Sequence, residues 1–281
     1  MEKQVVLITG ANSGFGLLAA LEFAKEGYEV VAAMRDINKC SLLMEMAKEK
    51  GIAEYITVLS LDITSANDIK KLQEYMQKKG RVDVLINNAG FAGAGFAEEI
   101  SIEEYKNQFE TNFFGTISVT QKVLPIMRKQ GFGKIILMSS VSGKVGFPGL
   151  SPYVSSKFAL EGWSESLRLE VLPFSIYVSL VEPGSYRTNI WSTGKKISER
   201  SQLETSPYYQ YMNKMEGYLE KSSKNYGDPI EVAKQIVQIS KKKKPRLRYV
   251  IGKGVKQTIL IKQLLPWKWW ERLVFYLLKN R

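Results

Sequence analysis

Val5-Val6-Leu7-Ile8-Thr9-Gly10-Ala11-Asn12-Ser13-Gly14-Phe15-Gly16 reads as a short apolar strand, a glycine-rich turn and the opening of a helix over Gly14–Glu26. Glycines at such a turn allow a tight reversal and let a pyrophosphate come close to backbone N–H groups, and the helix N-terminus favours negative charge. The spacing is Gly-x-x-x-Gly-x-Gly rather than Gly-x-Gly-x-x-Gly. Glycines alone fit a purely structural turn equally well. Their place between the first strand and the first helix favours phosphate binding.

The alternation continues outward. Strands are expected at Glu29–Met34, Ile56–Leu61, Val82–Asn87, Lys134–Ser139 and Ser175–Val181, with Arg248–Ile251 as a last strand. Between them lie helical patterns at Lys39–Lys50, at Ser65–Lys79 with Ser65 as cap, up to Lys129, and at Ser151–Leu172. Such βα alternation needs crossover connections, so the expected fold class is α/β: a doubly wound, Rossmann-like parallel sheet of about seven strands with helices on both faces. The rhythm breaks after Val181. Residues 184–228 read as a lid segment with short helices of its own, and Asp228-Pro229 caps a helix over 229–242. Residues 1–252 would form the domain and 253–281 a basic, Trp-rich extension.

The 281-residue chain contains no histidine, which excludes Ser-His-Asp hydrolysis, histidine acid–base chemistry and most zinc sites. No metal site is expected. A single cysteine, Cys40, fits a reducing compartment. There is neither a secretory signal pattern nor an apolar run of membrane-spanning length, so the expected location is cytoplasmic. The net charge of +12 is localised: residues 241–281 hold 13 of the 40 Lys and Arg but one of the 28 acidic residues. The body before them is formally neutral.

The second expected strand ends at Met34-Arg35. An acidic residue near this point would accept from the ribose hydroxyls of NAD(H); Met34 cannot, while the Arg35 guanidinium suits a 2′-phosphate. NADP(H) is therefore favoured over NAD(H), with Asp36 as the competing ribose ligand. Tyr153-Val154-Ser155-Ser156-Lys157 places a phenol and an ammonium at i and i+4, on one helix face. A nearby ammonium lowers the pKa of a phenol and makes it a usable acid–base group in a chain without histidine. Ser139-Ser140 and Asn87-Asn88-Ala89-Gly90 end strands on the same side, where open α/β sheets bind ligands.

Taken together, Thr9–Gly16, Asp62, Asn87-Asn88-Ala89-Gly90, Asn112, Ser140, Tyr153-x-x-x-Lys157 and Pro183-Gly184 resemble the short-chain dehydrogenase/reductase family over roughly residues 4–190. The likeness is to its hydroxysteroid and retinol dehydrogenase-like members. The resemblance implies an oxidoreductase acting on a carbonyl or alcohol carbon, usually a homodimer or homotetramer. Tyr153 would donate the proton in reduction and take it back in oxidation. Lys157 would bind the nicotinamide ribose and depress the Tyr153 pKa. Ser140, 13 residues before Tyr153 as in the family, would hydrogen-bond the reacting oxygen, and Asn112 would hold a water in a proton relay. Gly10, Asn12, Ser13, Gly14, Phe15 and Gly16 would cradle the cofactor. Asp62 would contact its adenine, with Ile63 alongside; Asn88 would meet its ribose region; Pro183, Gly184 and Thr188 would meet the nicotinamide amide.

The lid carries Tyr186, Trp191, Tyr208, Tyr209, Met212 and Met215, which suits a lipophilic substrate such as a steroid, retinoid or long-chain lipid. A 3-oxoacyl thioester reductase and a non-catalytic nucleotide sensor are the alternatives. In the extension, Trp267, Trp269, Trp270, Leu273, Phe275 and Leu277 interleave with Lys268, Arg272 and Lys279, and Pro266 should break it into two short helices. Two readings stand: peripheral contact with an anionic membrane, or a dimer contact or cover packed on the protein. No nucleic-acid module is recognised.

Overall fold

The computed structural model describes residues 3–191 and 194–279, the side chains of residues 218 and 277–279 excepted. The chain begins β1 (Val5–Thr9), α1 (Gly14–Lys25), β2 (Glu29–Met34), α2 (Ser41–Glu49), β3 (Ile56–Ser60), α3 (Ala66–Lys79), β4 (Val84–Asn87). It continues β5 (Ala92–Ala94), α4 (Ile102–Phe109), α5 (Gly115–Gln130), β6 (Gly133–Met138), α6 (Ser151–Val171), β7 (Ile176–Pro183) and β8 (Lys195–Ile197). Last come α7 (Tyr209–Ser223), α8 (Pro229–Lys241), β9 (Arg248–Ile251), α9 (Val255–Leu264) and α10 (Trp267–Lys279).

Seven strands form one parallel sheet in the order β3-β2-β1-β4-β6-β7-β9. Both faces are covered, which is why β1 is apolar throughout rather than alternating. Val6 and Ile8 point with Val30 and Ala32 into a core completed by Leu17, Phe23, Leu43, Val232 and Ile236 of α1, α2 and α8. Leu7, Val31, Leu85 and Ile135 point the other way, onto Leu72, Met76, Val123, Met127 and Leu160 of α3, α5 and α6. Each fully buried Leu, Ile or Phe contributes about 1.5–3 kcal/mol by leaving water. Building outward from β1 places β2 and β3 on one side and β4, β6, β7 and β9 on the other, so a crevice opens at the carboxyl ends of β1 and β4.

Local signals set several boundaries. Ser65 accepts from Asp68 N–H to start α3, and Gly80, at φ +72°, ends it. Asp228 accepts from Ile230 N–H at 3.0 Å and Pro229 occupies the first turn of α8. The break at Pro266 occurs where expected, with Leu265 extended between α9 and α10.

Two features depart from the sequence reading. β5 and β8 form a separate parallel pair that ties segment 184–228 to the loop after β4. The stretch between β4 and β6 contains a π-helical turn at Glu110–Phe114, between α4 and α5. Of the tail residues, the side chains of Leu277 and Lys279 lie outside the described residues. Among the described residues, no helix is long and apolar enough to cross a membrane.

Candidate active site

The glycine turn and the end of β4 are fastened to each other. Thr9 Oγ1 accepts from the N–H groups of Asn88 and Ala89 at 3.0 and 3.1 Å, and Asn88 Nδ2 donates to the Thr9 and Gly10 carbonyls, both at 3.0 Å. This packing needs glycine. A Cβ on Gly10, whose φ is +65°, would lie 2.8 Å from Ala89 Cα, and one on Gly16 would lie 2.4 Å from both Gly10 O and Asn88 Nδ2. Gly14 faces Thr188, whose Cβ lies 3.5 Å from the site of a Gly14 Cβ. Ser13 caps α1 without a side-chain hydrogen bond, and no acidic residue lies in that first turn. The turn therefore carries no acidic side chain, and Gly14 sits against Thr188.

Beyond the turn, one cleft of about 250 Å³ gathers the carboxyl ends of β4, β6 and β7 with the start of α6. Phe15, Asn88, Asn112, Ser140, Tyr153, Lys157, Pro183, Gly184 and Thr188 all line it. Tyr153 is buried, hydrogen-bonded to Ser140 and packed edge-on against Trp191, ring centroids 5.8 Å apart. Lys157 is also buried; its Nζ donates to the Met138 carbonyl at 2.7 Å and lies 5.6 Å from the Tyr153 ring centre.

Electrostatics here differ from the sequence expectation. Burial pushes the Tyr153 phenol up to about 12, only partly offset by the Ser140 hydrogen bond. The Lys157 ammonium is directed at Met138 O and is itself pushed down to about 8 by burial, against an upward pull from Glu161. Tyr153 thus holds its proton at neutral pH, which suits a proton donor.

Behind the cleft lies a cluster with no sequence signature beyond the Lys157–Glu161 spacing of i and i+4. Glu161 accepts from Ser139 Oγ at 2.6 Å and Arg248 Nε at 2.9 Å, and forms an ion pair with Lys144 Nζ at 2.7 Å. Arg248 also pairs with Glu165. Glu182 is buried, and Arg248 Nε, 3.3 Å from its Oε1, is not aligned to donate to it. Burial, then the Glu161 charge, push Glu182 up to about 7 despite Lys144 and Arg248. Ser139 thus braces α6 while Ser140 faces the cleft.

The other expected residues sit elsewhere. Asn112 lines the cleft, but its side chain is taken up by Phe91: Oδ1 accepts from the N–H at 3.1 Å and Nδ2 donates to the carbonyl at 3.0 Å. It pins the loop after β4. Gly10, Asn12, Ser13, Gly14 and Gly16 form the turn beside the cleft. Arg35 is exposed at the end of β2; Asp36 accepts from Asn38 N–H at 3.1 Å and lies 3.9 Å from Lys39. Asp62 accepts from Thr64 N–H and Oγ1 at 2.9 and 2.7 Å, and Ile63 is buried against Gly115 of α5. Of the aromatics in segment 184–228, Tyr186 and Trp191 enter the cleft, whereas Tyr208 stacks on Phe96 at 4.3 Å, away from it. Phe147 and Leu150, in the loop before α6, and Leu219 of α7 also line the cleft and were not foreseen. The apolar residues flanking Pro148-Gly149, between Ser140 and Tyr153, were the available signal.

Comparison with known proteins agrees with this geometry. The short chain dehydrogenase family matches residues 4–197. The oxidoreductase YusZ of Bacillus subtilis is 46% identical over 275 residues, 98% of each chain. Human retinol dehydrogenase 8 is 38% identical, over 87% of this chain and 80% of its own. The 3-ketodihydrosphingosine reductase of Bacteroides thetaiotaomicron is 35% identical, over 90% of this chain and 89% of its own. Among solved structures, a short-chain dehydrogenase from Streptomyces avermitilis superposes with a TM-score of 0.81 at 32% identity, covering 93% of both chains. ElxO with NADP bound superposes at 0.74 and 27% identity, covering 91% of this chain and 100% of its own. With its seven-stranded parallel sheet, its glycine turn and these matches, the chain belongs to the short-chain dehydrogenase/reductase family of nucleotide-binding oxidoreductases.

Proposed function

We propose that the protein moves hydride between a nicotinamide cofactor, NADP(H) in preference to NAD(H), and the carbonyl or alcohol carbon of a lipophilic substrate such as a steroid, retinoid or long-chain lipid. The observation that carries this reading is the single cleft in which Tyr153, Ser140 and Lys157 meet under the apolar side chains of Phe147, Leu150, Trp191 and Leu219. Segment 184–228 acts as its lid.

The residues present fit the cofactor. The turn from Gly10 to Gly16, bare of side chains where Cβ atoms would clash and free of acidic groups, suits the phosphates, with Asn12, Ser13, Phe15 and Thr188 around it. Arg35 is free to meet a 2′-phosphate, while Asp36 is engaged with its own turn. Asp62 and Ile63 would lie along the adenine, and Asn88, Pro183 and Gly184 beside the nicotinamide end. When bound, the cofactor supplies the hydride in reduction and accepts it in oxidation.

The protein's part is protons and charge. In reduction, Tyr153 gives its hydroxyl proton to the carbonyl oxygen, and Ser140 donates a hydrogen bond to that oxygen as negative charge develops on it. Lys157 holds the ribose and steadies the phenolate left behind. Asn112 keeps the strand-end loop in place through Phe91. In the alcohol direction Tyr153 takes the proton back. The relatives named for retinol and 3-ketodihydrosphingosine support a bulky apolar substrate. Exposed Phe114 and Leu169 on the α5 and α6 side support assembly as a homodimer or homotetramer.

A turnover screen that follows NADPH fluorescence over ketosteroids, retinals, long-chain ketones and 3-oxoacyl thioesters tests the reading. Oxidation of NADPH by at least one apolar carbonyl class is expected. Tight NADPH binding with no turnover on any carbonyl would overturn it in favour of a nucleotide sensor.

A further inference from the structure

The whole positive excess of the chain lies in residues 241–281, and α10 turns all its described aromatic side chains but Trp270 outward. Trp267, Trp269, Phe275 and Tyr276 of α10 are 60, 57, 57 and 64% exposed, and Leu260 and Leu264 of α9 are 54 and 72% exposed. Trp270 is only 8% exposed and Val255 7%, so the two helices are seated by one face and present the other. On α10 the seated side is fixed by Trp270, and Lys268, Trp269, Arg272, Phe275 and Tyr276 share the opposite face at helical spacing. Cations accompany the rings: the Arg272 guanidinium lies 5.2 Å from the Trp269 ring centre, and Lys262 Nζ lies 4.8 Å from that of Trp267.

We infer that the outer face of α9 and α10 docks on the surface of an anionic lipid bilayer. An anionic bilayer meets both halves of this chemistry. Its headgroups pair with Lys and Arg, and its interfacial layer takes up Trp, Tyr and Phe rings. The 10 and 13 residues of the two helices span about 15 and 20 Å, short of a hydrocarbon core of about 30 Å, so they would lie in the interface rather than cross it. A second copy of the chain is a poor occupant. A twofold contact through this face would set Lys256, Lys262, Lys268 and Arg272 against their own images, and the single acid, Glu271, is engaged by Trp267 Nε1.

The position of the face gives docking a consequence. α9 follows directly from the carboxyl end of β9, and Val255 packs against Gly184 at the edge of the cleft. A bilayer seated on these helices would stand beside the mouth of the cleft, within reach of a lipid-dissolved molecule. The docking itself does not depend on what the cleft does.

The test uses the full chain, pelleted with phosphatidylcholine vesicles with and without phosphatidylserine. Binding is expected only with phosphatidylserine, weakening as salt is raised. Lys268→Glu with Arg272→Glu should weaken it at least roughly tenfold, since each cation near the surface is worth about 1 kcal/mol. Trp269→Ser with Phe275→Ser should weaken it comparably, and at both salt levels. These side chains are exposed, and an unchanged circular dichroism spectrum checks the fold. No binding at low salt, or binding untouched by both double variants, overturns the proposal. Self-association of the wild type that disappears in the Trp269→Ser, Phe275→Ser protein also overturns it, in favour of a second copy. Because the readout is vesicle binding, its failure leaves the carbonyl screen unaffected.

Discussion

Replacing Glu161 by Gln perturbs the site without touching the cleft. Glu161 is buried, carries hydrogen bonds from Ser139 and Arg248, and is paired with Lys144. Gln keeps an acceptor for one of them and removes the charge. Stranding a fully buried cation costs about 3–5 kcal/mol. Lys144 and Arg248 retain about a fifth to a quarter of their exposure, Arg248 keeps Glu165, and Glu182 can ionise once its acidic neighbour is gone. The net loss should therefore be about 1–2 kcal/mol near pH 7, read by chemical denaturation. The kinetic signature is separate. Tyr153, at about 12, stays protonated across the assay range, so any loss of rate at alkaline pH in the reduction direction is expected to follow Lys157, near 8. Glu161 supplies the upward pull on Lys157. Removing it should move that falling limb down by about one pH unit, equivalent to roughly 1.4 kcal/mol of lost attraction. A pH–rate profile that falls at the same pH in Glu161→Gln and wild type would refute the argument that this carboxylate sets the charge of Lys157.

Glu182→Gln should act through stability alone. A carboxyl raised from 4.5 to about 7 in the folded state contributes stability that is complete below pH 4.5 and lost as pH rises through 7. The wild type should therefore lose roughly 1–3 kcal/mol across that interval that the variant does not, as denaturation at several pH values would reveal. Arg35→Ala should weaken NADPH binding by about 1–2 kcal/mol, reduced from a buried contact by the exposure of Arg35, and leave NADH nearly unchanged. Equal wild-type affinity for the two cofactors in a fluorescence titration would remove the basis for that prediction. Ser140→Ala should lower kcat by roughly 10²–10³, the loss expected for one donor to a developing oxyanion. A smaller effect in steady-state kinetics would leave Ser140 as support for Tyr153 only.

The sheet was readable because strands buried on both faces are apolar runs, and helix caps such as Ser65 and Asp228 act locally. β5 and β8 were not, since Ala92-Gly93-Ala94 carries no period and pairs only because the chain after β7 folds back beside it. Position along strand ends brought Ser140, Tyr153 and Lys157 together, but not their electrostatics. A spacing of four residues says that an ammonium is near a phenol. It does not say that burial will outweigh that ammonium, or that Met138 O will orient it. The contact of Asn112 with Phe91 was equally hidden, because Asn112 lies in a π-helical turn that no sequence pattern announces. Glu182 reaches Glu161 only through tertiary packing of β7 against α6, which no local pattern encodes.

The account rests most directly on the Tyr153 hydroxyl. Tyr153→Phe removes that one oxygen and keeps the ring that packs against Trp191. Stopped-flow and steady-state assays of the variant, beside a fluorescence titration with NADPH, separate chemistry from binding. The account predicts NADPH affinity within about threefold of wild type, a change under ~1 kcal/mol, with turnover on any carbonyl found in the screen reduced to background. Turnover at the wild-type rate in Tyr153→Phe would contradict it.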